Sequence, residues 1–86
     1  MANHGSFRIL FDTCKTCLTD EARRLSEEHG YIEFRPWARF RDRLFTRLCK
    51  EGNGYDEVGD AMRLASEEVL REWTFIEMVW QPKIGI

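Results

Sequence analysis

The 86-residue chain is long enough for one modest hydrophobic core and too short for a second beside it, so we expect a single domain over residues 1–86. Its 43% hydrophobic and 13% aromatic residues exclude a disordered chain, and no apolar run approaches the roughly 20 residues that span a bilayer. The formal net charge of −2 gives no overall attraction to nucleic acid. Three cysteines, an odd number, and the lack of a leader-like start favour a cytoplasmic protein.

The first third of the chain predicts a strand followed by a helix. We expect residues 1–5 to be a flexible start, and the compact apolar run of residues 7–11 predicts a buried strand that ends at Asp12. Thr19 and Asp20 are candidate caps for the helix that follows. Gly30 is the natural stop of that helix.

The middle of the chain predicts a second strand and a second helix. Residues 31–35 form another short apolar and aromatic run, and Pro36 ends it in a position that suits the first turn of a helix. The helix should then extend to Lys50. Its apolar residues recur at helical spacing and form one stripe: Trp37, Phe40, Leu44, Phe45 and Leu48.

A third helix and a last strand are predicted for the remaining residues. Glu51 to Gly54 form a turn, and Asp56 is the candidate cap of a helix that extends to about Glu72. That helix should bury a second stripe: Val58, Ala61, Met62, Ala65 and Val69. Residues 73–80 are rich in β-branched and aromatic side chains, so we favour a strand over a longer helix there, with residues 82–86 as a tail.

The predicted element order is therefore β-α-β-α-α-β. It corresponds to a small α+β, α/β-like domain in which the helices pack on one face of a three-stranded sheet. The first two strands, if parallel neighbours, would be joined by a right-handed crossover. The last strand would lie at a sheet edge, where it could pair with a second copy of the chain in a homodimer.

Cys14 and Cys17 form a C-x-x-C motif at the predicted junction between the first strand and the first helix. The amide groups and dipole at a helix start stabilise a thiolate and lower its pKa, which suits thiol-disulfide exchange. The stretch FRILFDTCKTC resembles the opening of thioredoxin-like proteins, including small thiol-disulfide proteins whose first strand ends in an Asp before C-x-x-C. The resemblance implies redox activity, with Cys14 as the attacking thiolate and Cys17 as the resolving thiol.

Two other interpretations of the cysteines remain open. Cys14 and Cys17 could bind zinc together with Cys49 and either His29 or His4, which would complete four ligands. Alternatively, the thiols are small hydrophobic side chains without chemistry, which is the simplest interpretation of Cys49, and His29 only favours the negative end of a helix.

The second helix also carries a row of basic residues. Their spacing places them along one side of the helix, and we call this set the basic ridge: Arg35, Arg39, Arg43, Arg47 and Lys50. Like charges four residues apart repel each other, so the ridge calls for acidic neighbours or a bound partner. The internal candidates are acids of the third helix: Asp60, Glu67, Glu68 and Glu72.

No complete catalytic constellation accompanies these features. The first hypothesis is therefore a small non-enzymatic regulatory protein, of the kind that phages and mobile elements use as inhibitors, although no residue identifies such a family. Its basic ridge would bind an acidic surface of a protein or nucleoprotein partner. Direct binding to nucleic acid is less favoured because the whole chain is acidic. The alternatives are a thioredoxin-like redox protein and a zinc-stabilised domain.

Overall fold

The structure, a computed structural model, describes residues 4–76, with side chains from Phe7 onward. The described residues form three helices and two very short strands, in this order: α1 (His4–His29), β1 (Ile32–Glu33), α2 (Phe34–Lys50), α3 (Tyr55–Glu72) and β2 (Phe75–Ile76). The strands pair in parallel, with Ile32 opposite Phe75. The fold is therefore mostly helical, and the predicted three-stranded sheet with helices on one face is wrong.

The predicted first strand is part of the long helix α1. Its inner face is one stripe of buried residues spaced three or four apart: Leu10, Cys14, Leu18, Ala22 and Leu25. Ile9, which a buried strand would hide, is 66% exposed. The apolar run of residues 7–11 is compatible with a strand or a helix. It belongs to a helix because the buried stripe from Leu10 through Cys14 continues at the 3.6-residue period.

Thr19 and Asp20 lie inside α1 and do not cap it. Asp20 instead accepts a hydrogen bond from Arg23 at 2.8 Å, one of several ion pairs along the exposed side of the helix. The predicted stop is confirmed: α1 ends at His29, and Gly30 adopts a positive φ of 84°, which glycine reaches without steric cost. In residues 4–76 no helix combines the length and the apolar character needed to cross a bilayer.

Helix α2 begins at Phe34, two residues earlier than predicted, and ends at Lys50 as predicted. Pro36 therefore occupies the third helical position, where its missing N–H costs no helical hydrogen bond. The predicted apolar stripe is confirmed, because three of its residues are buried and the other two pack partly against the core. In the turn after α2, Asn53 Nδ2 donates to the carbonyl of Leu48 at 2.8 Å, and Gly52 has a φ of 100°.

Helix α3 begins at Tyr55, with Gly54 as its N-cap, so Asp56 lies in the first turn and is not the cap. All five residues of its predicted stripe are buried. α3 packs mainly against α1. After α3 the chain turns extended, which confirms a strand at Phe75 and Ile76. The rest of the predicted strand, residues 77–80, lies outside the described residues, and pairing of two copies through it stays a prediction.

Trp37 lies where α1, α2 and β2 meet. Its side chain is fully buried, and its Nε1 donates a hydrogen bond to the backbone carbonyl of Leu18 in α1 at 3.0 Å. Its ring centroid lies 4.9 Å from that of Phe75 and 5.9 Å from that of Phe34, both in tilted or edge-on arrangements that aromatic pairs prefer. This one side chain thus connects three elements through both packing and a hydrogen bond.

Replacing Trp37 should therefore destabilise the fold more than any exposed substitution. We expect Trp37→Ala to lower the free energy of unfolding by about 3–5 kcal/mol, and Trp37→Phe by about 2 kcal/mol because it keeps one ring but loses the hydrogen bond. Urea unfolding followed by far-UV circular dichroism measures both. Ile9→Ala is the control, since this exposed site should change stability by no more than about 0.5 kcal/mol. An unchanged unfolding midpoint for Trp37→Ala would contradict this role.

Candidate functional site

The basic ridge lies on α2 as predicted, and all five of its residues are exposed. The buried stripe of α2, which includes Leu44 and Leu48, faces the core and leaves the ridge on the outer side of the helix. The ridge therefore reaches solvent because α2 is amphipathic. Its charged groups are available to a partner without any change in the fold.

The acids of α3 do not neutralise the ridge. Glu68 and Glu72 pair with Lys15 of α1, at 3.2 and 3.4 Å. The other two acids, Asp60 and Glu67, lie 3.9 and 3.7 Å from Arg63 on the same helix. The sequence left open whether these acids pair with the basic ridge, and no such ion pair is present among the described residues.

Lys15 of α1 is the partner of two acidic residues of α3. The hydrogen bond to Glu68, together with the nearby negative charge of Glu72, raises the pKa of the Lys15 amine. These contacts link α1 to α3, the pair of helices with the most extensive packing. Since the three side chains are partly exposed, their ion pairs add only about 0–1 kcal/mol each and serve mainly to orient acids toward α1.

One ion pair involves the ridge in the part of the chain that the structure describes. Arg47 Nε lies 3.5 Å from Glu51, the first residue after α2. Around Arg47, a shallow depression of about 390 Å³ is lined by Asp42, Arg43, Thr46, Arg47 and Lys50. We call it the basic depression. Its three cationic side chains outnumber its single acid, so it suits a ligand that carries carboxylates.

A second concavity lies beside the basic depression, between α2 and α3. This α2–α3 groove has a volume of about 400 Å³ and is lined by Arg41, Asp42, Phe45, Gly59, Met62, Arg63, Ser66, Glu67 and Leu70. Asp42 lines both concavities, so the groove and the basic depression adjoin each other at this residue. The groove cannot be predicted from the sequence, because its residues come from two helices and no motif indicates how those helices pack.

Arg41 is a further cation that the sequence analysis did not assign to a site. It lies off the basic ridge and is half-buried, with its guanidinium carbon 5.7 and 5.5 Å from the ring centroids of Phe34 and Trp37. These are distances at which a cation and an aromatic ring attract each other. Arg41 therefore packs over the rings of Phe34 and Trp37 and also lines the α2–α3 groove.

The C-x-x-C motif lies in the interior of α1, ten residues after its start, and not at a strand-to-helix junction. Cys14 is fully buried, Cys17 is half-buried, and both are free thiols. Burial, together with the neighbouring Cys17, raises the pKa of the Cys14 thiol to about 11. The predicted helix-start thiolate is therefore corrected: the site favours the neutral thiol, which is the wrong species for attack on a disulfide.

The zinc alternative also lacks its geometry. Among the described residues, no group of three or more His, Cys, Asp or Glu side chains is arranged to hold a metal ion, so Cys14, Cys17, Cys49 and His29 do not form a site. His29 lies in the last turn of α1, where its Nε2 is 3.6 Å from Glu28 and its ring is 6.0 Å from that of Tyr31. The side chain of His4 lies outside the described residues.

Comparisons of this chain with family models, with curated proteins and with solved structures find no match.

The burial of Cys14 predicts a specific order of thiol reactivity. With a pKa of about 11, about one Cys14 in ten thousand is a thiolate at pH 7, and its alkylation should accelerate about tenfold per pH unit up to pH 10. At pH 8, iodoacetamide should modify Cys17 and Cys49 well before Cys14, as read from peptide masses.

Urea supplies the control for this experiment, because unfolding should bring the three alkylation rates close together. Modification of native Cys14 as fast as Cys17 at pH 8 would contradict the burial of this thiol.

Proposed function

We propose that the protein is a small non-enzymatic interaction protein that regulates or inhibits a partner by binding to its acidic surface through the basic ridge. The partner is another protein or a nucleoprotein complex. The observation that supports this proposal is the row of exposed cations on α2, of which Arg47 has one ion pair in residues 7–76 and the others have none.

Electrostatic cost makes this arrangement informative. Arg39, Arg43 and Arg47 follow each other at intervals of four residues, so each adjacent pair repels by a few tenths of a kcal/mol in an isolated helix. Meanwhile the acids of α3 pair with Lys15 and Arg63. A partner that brings carboxylates to α2 would offset the repulsion.

The chemistry of the ridge favours the carboxylates of a protein partner. Four of its five residues are arginine, whose planar guanidinium forms two parallel hydrogen bonds to a carboxylate. Phosphate would accept the same bonds, but the net charge of −2 weakens non-specific attraction to a nucleic acid. An acidic protein surface fits both the local charge and the overall charge.

The ridge can be tested with a fluorescein-labelled decapeptide of Glu and Asp. The variant Arg39→Ala, Arg43→Ala, Arg47→Ala should bind this peptide at least about tenfold more weakly than the wild type in fluorescence anisotropy at low salt, since three charge-assisted contacts are lost. Its far-UV circular dichroism should stay unchanged because the three side chains are exposed. Wild-type affinity should fall with added salt.

A matched control variant makes the same change in net charge at a different place on the protein. Arg8, Arg23 and Arg71 are exposed arginines of α1 and α3, and replacing them with Ala lowers the net charge by the same three units. This control should bind the peptide within about twofold of the wild type if the ridge is the binding site. Equal losses in both triple variants would refute a localised site, and a 20-base-pair DNA duplex that outcompetes the peptide would favour nucleic acid instead.

A further inference from the structure

We infer that the α2–α3 groove binds one aromatic side chain, a tyrosine or a tryptophan, of the acidic segment that lies on the basic ridge. This inference rests on the proposed function, and it adds a recognition element that charge alone cannot supply. It specifies the partner as an acidic segment with an aromatic anchor.

The groove has the lining that an aromatic ring requires. Phe45, Met62 and Leu70 give it apolar walls, and the methionine sulfur is a favourable neighbour for aromatic rings. Gly59 leaves one wall without a side chain, so that the nearest atom to a Cβ placed there would be Phe45 Cε1 at 4.0 Å. The volume of about 400 Å³ exceeds what one aromatic side chain occupies.

Ser66 supplies the second, independent observation. It lines the groove and is 6% exposed, and its Oγ has no hydrogen-bond partner among the described residues. A buried hydroxyl without a partner is unfavourable, and native proteins seldom retain one without a reason. The indole N–H of a tryptophan or the hydroxyl of a tyrosine could reach it after a rotation of the Ser66 side chain, while the ring stays in the apolar part of the groove.

The groove adjoins the cationic residues of the basic ridge. Asp42 borders both the groove and the basic depression, so a segment with its ring in the groove can extend past Asp42 toward Arg43 and Arg47. Acidic residues at those positions complement the two guanidinium groups. Arg41 also lines the groove, and its guanidinium already lies near two aromatic rings, so it can contact a third in the groove.

Two fluorescein-labelled nonapeptides of Glu and Asp test the inference, one with a central tryptophan and one with a central alanine. The wild type should bind the tryptophan peptide about tenfold more tightly in fluorescence anisotropy. Ser66→Ala should reduce that preference roughly three- to tenfold, because the hydrogen bond to the hydroxyl is lost. The control Ser26→Ala changes a half-buried serine of α1 outside the groove and should keep the preference.

Stability separates a binding role of Ser66 from a structural one. Removal of an unpartnered hydroxyl should raise the Tm of the free Ser66→Ala protein, by about 4–8 °C for a domain of this size. A variant that melts higher and prefers tryptophan less supports the inference. A lower Tm together with an undiminished preference would overturn it.

The same titrations distinguish failure of the groove from failure of the ridge. Equal affinity of the wild type for the two peptides would overturn the inference about the groove and leave the proposed function standing. No measurable binding of either peptide at low salt would overturn both.

Discussion

The burial of Trp37 is the constraint on which the rest of the structure depends. Its indole N–H donates to a backbone carbonyl of α1 and its ring packs on Phe75 of β2, so this one side chain ties α2 to both elements. Once α2 is held with Trp37 inward, the 3.6-residue period leaves the basic ridge on the outer side. The same rotation places Phe45 opposite α3 and forms the groove. Core packing and surface charge are thus two consequences of one helix orientation.

The sequence predicts α2 and α3, because the apolar residues of each helix form a single stripe at helical spacing. α2 and α3 were found with their buried residues and nearly their bounds, because Trp37, Leu44, Val58 and Val69 recur at helical spacing between clear turn residues. For α1, by contrast, the sequence predicts a strand followed by a helix, and this prediction is wrong. The stripe of α1 passes through Cys14, which the C-x-x-C spacing indicates as a reactive thiol although it packs as a small hydrophobic side chain, and the threonines around it have low helix propensity.

The short parallel pair at Ile32 and Phe75 shows a different limit of sequence analysis. Apolar runs at residues 31–35 and 73–80 predict full strands. Within residues 4–76, two residues of the first run pair with Phe75 and Ile76, and β1 is short because α2 begins directly after it. The ridge was predictable, since it depends on spacing within one helix. The groove was not, since Phe45 and Ser66 come to line one cavity only through the packing of α2 on α3, and an unpartnered hydroxyl has no sequence signature.

The central claim is that the basic ridge and the adjoining α2–α3 groove act as one binding surface. The most direct measurement is a titration of ¹⁵N-labelled protein with the tryptophan-containing acidic nonapeptide, followed by amide chemical shifts. The account predicts that the largest shifts fall on residues 35–50 of α2 and on residues 59–70 of α3, and that the exposed side of α1 around Arg23 stays unchanged. Shifts centred on α1, or spread evenly over the three helices, would contradict it.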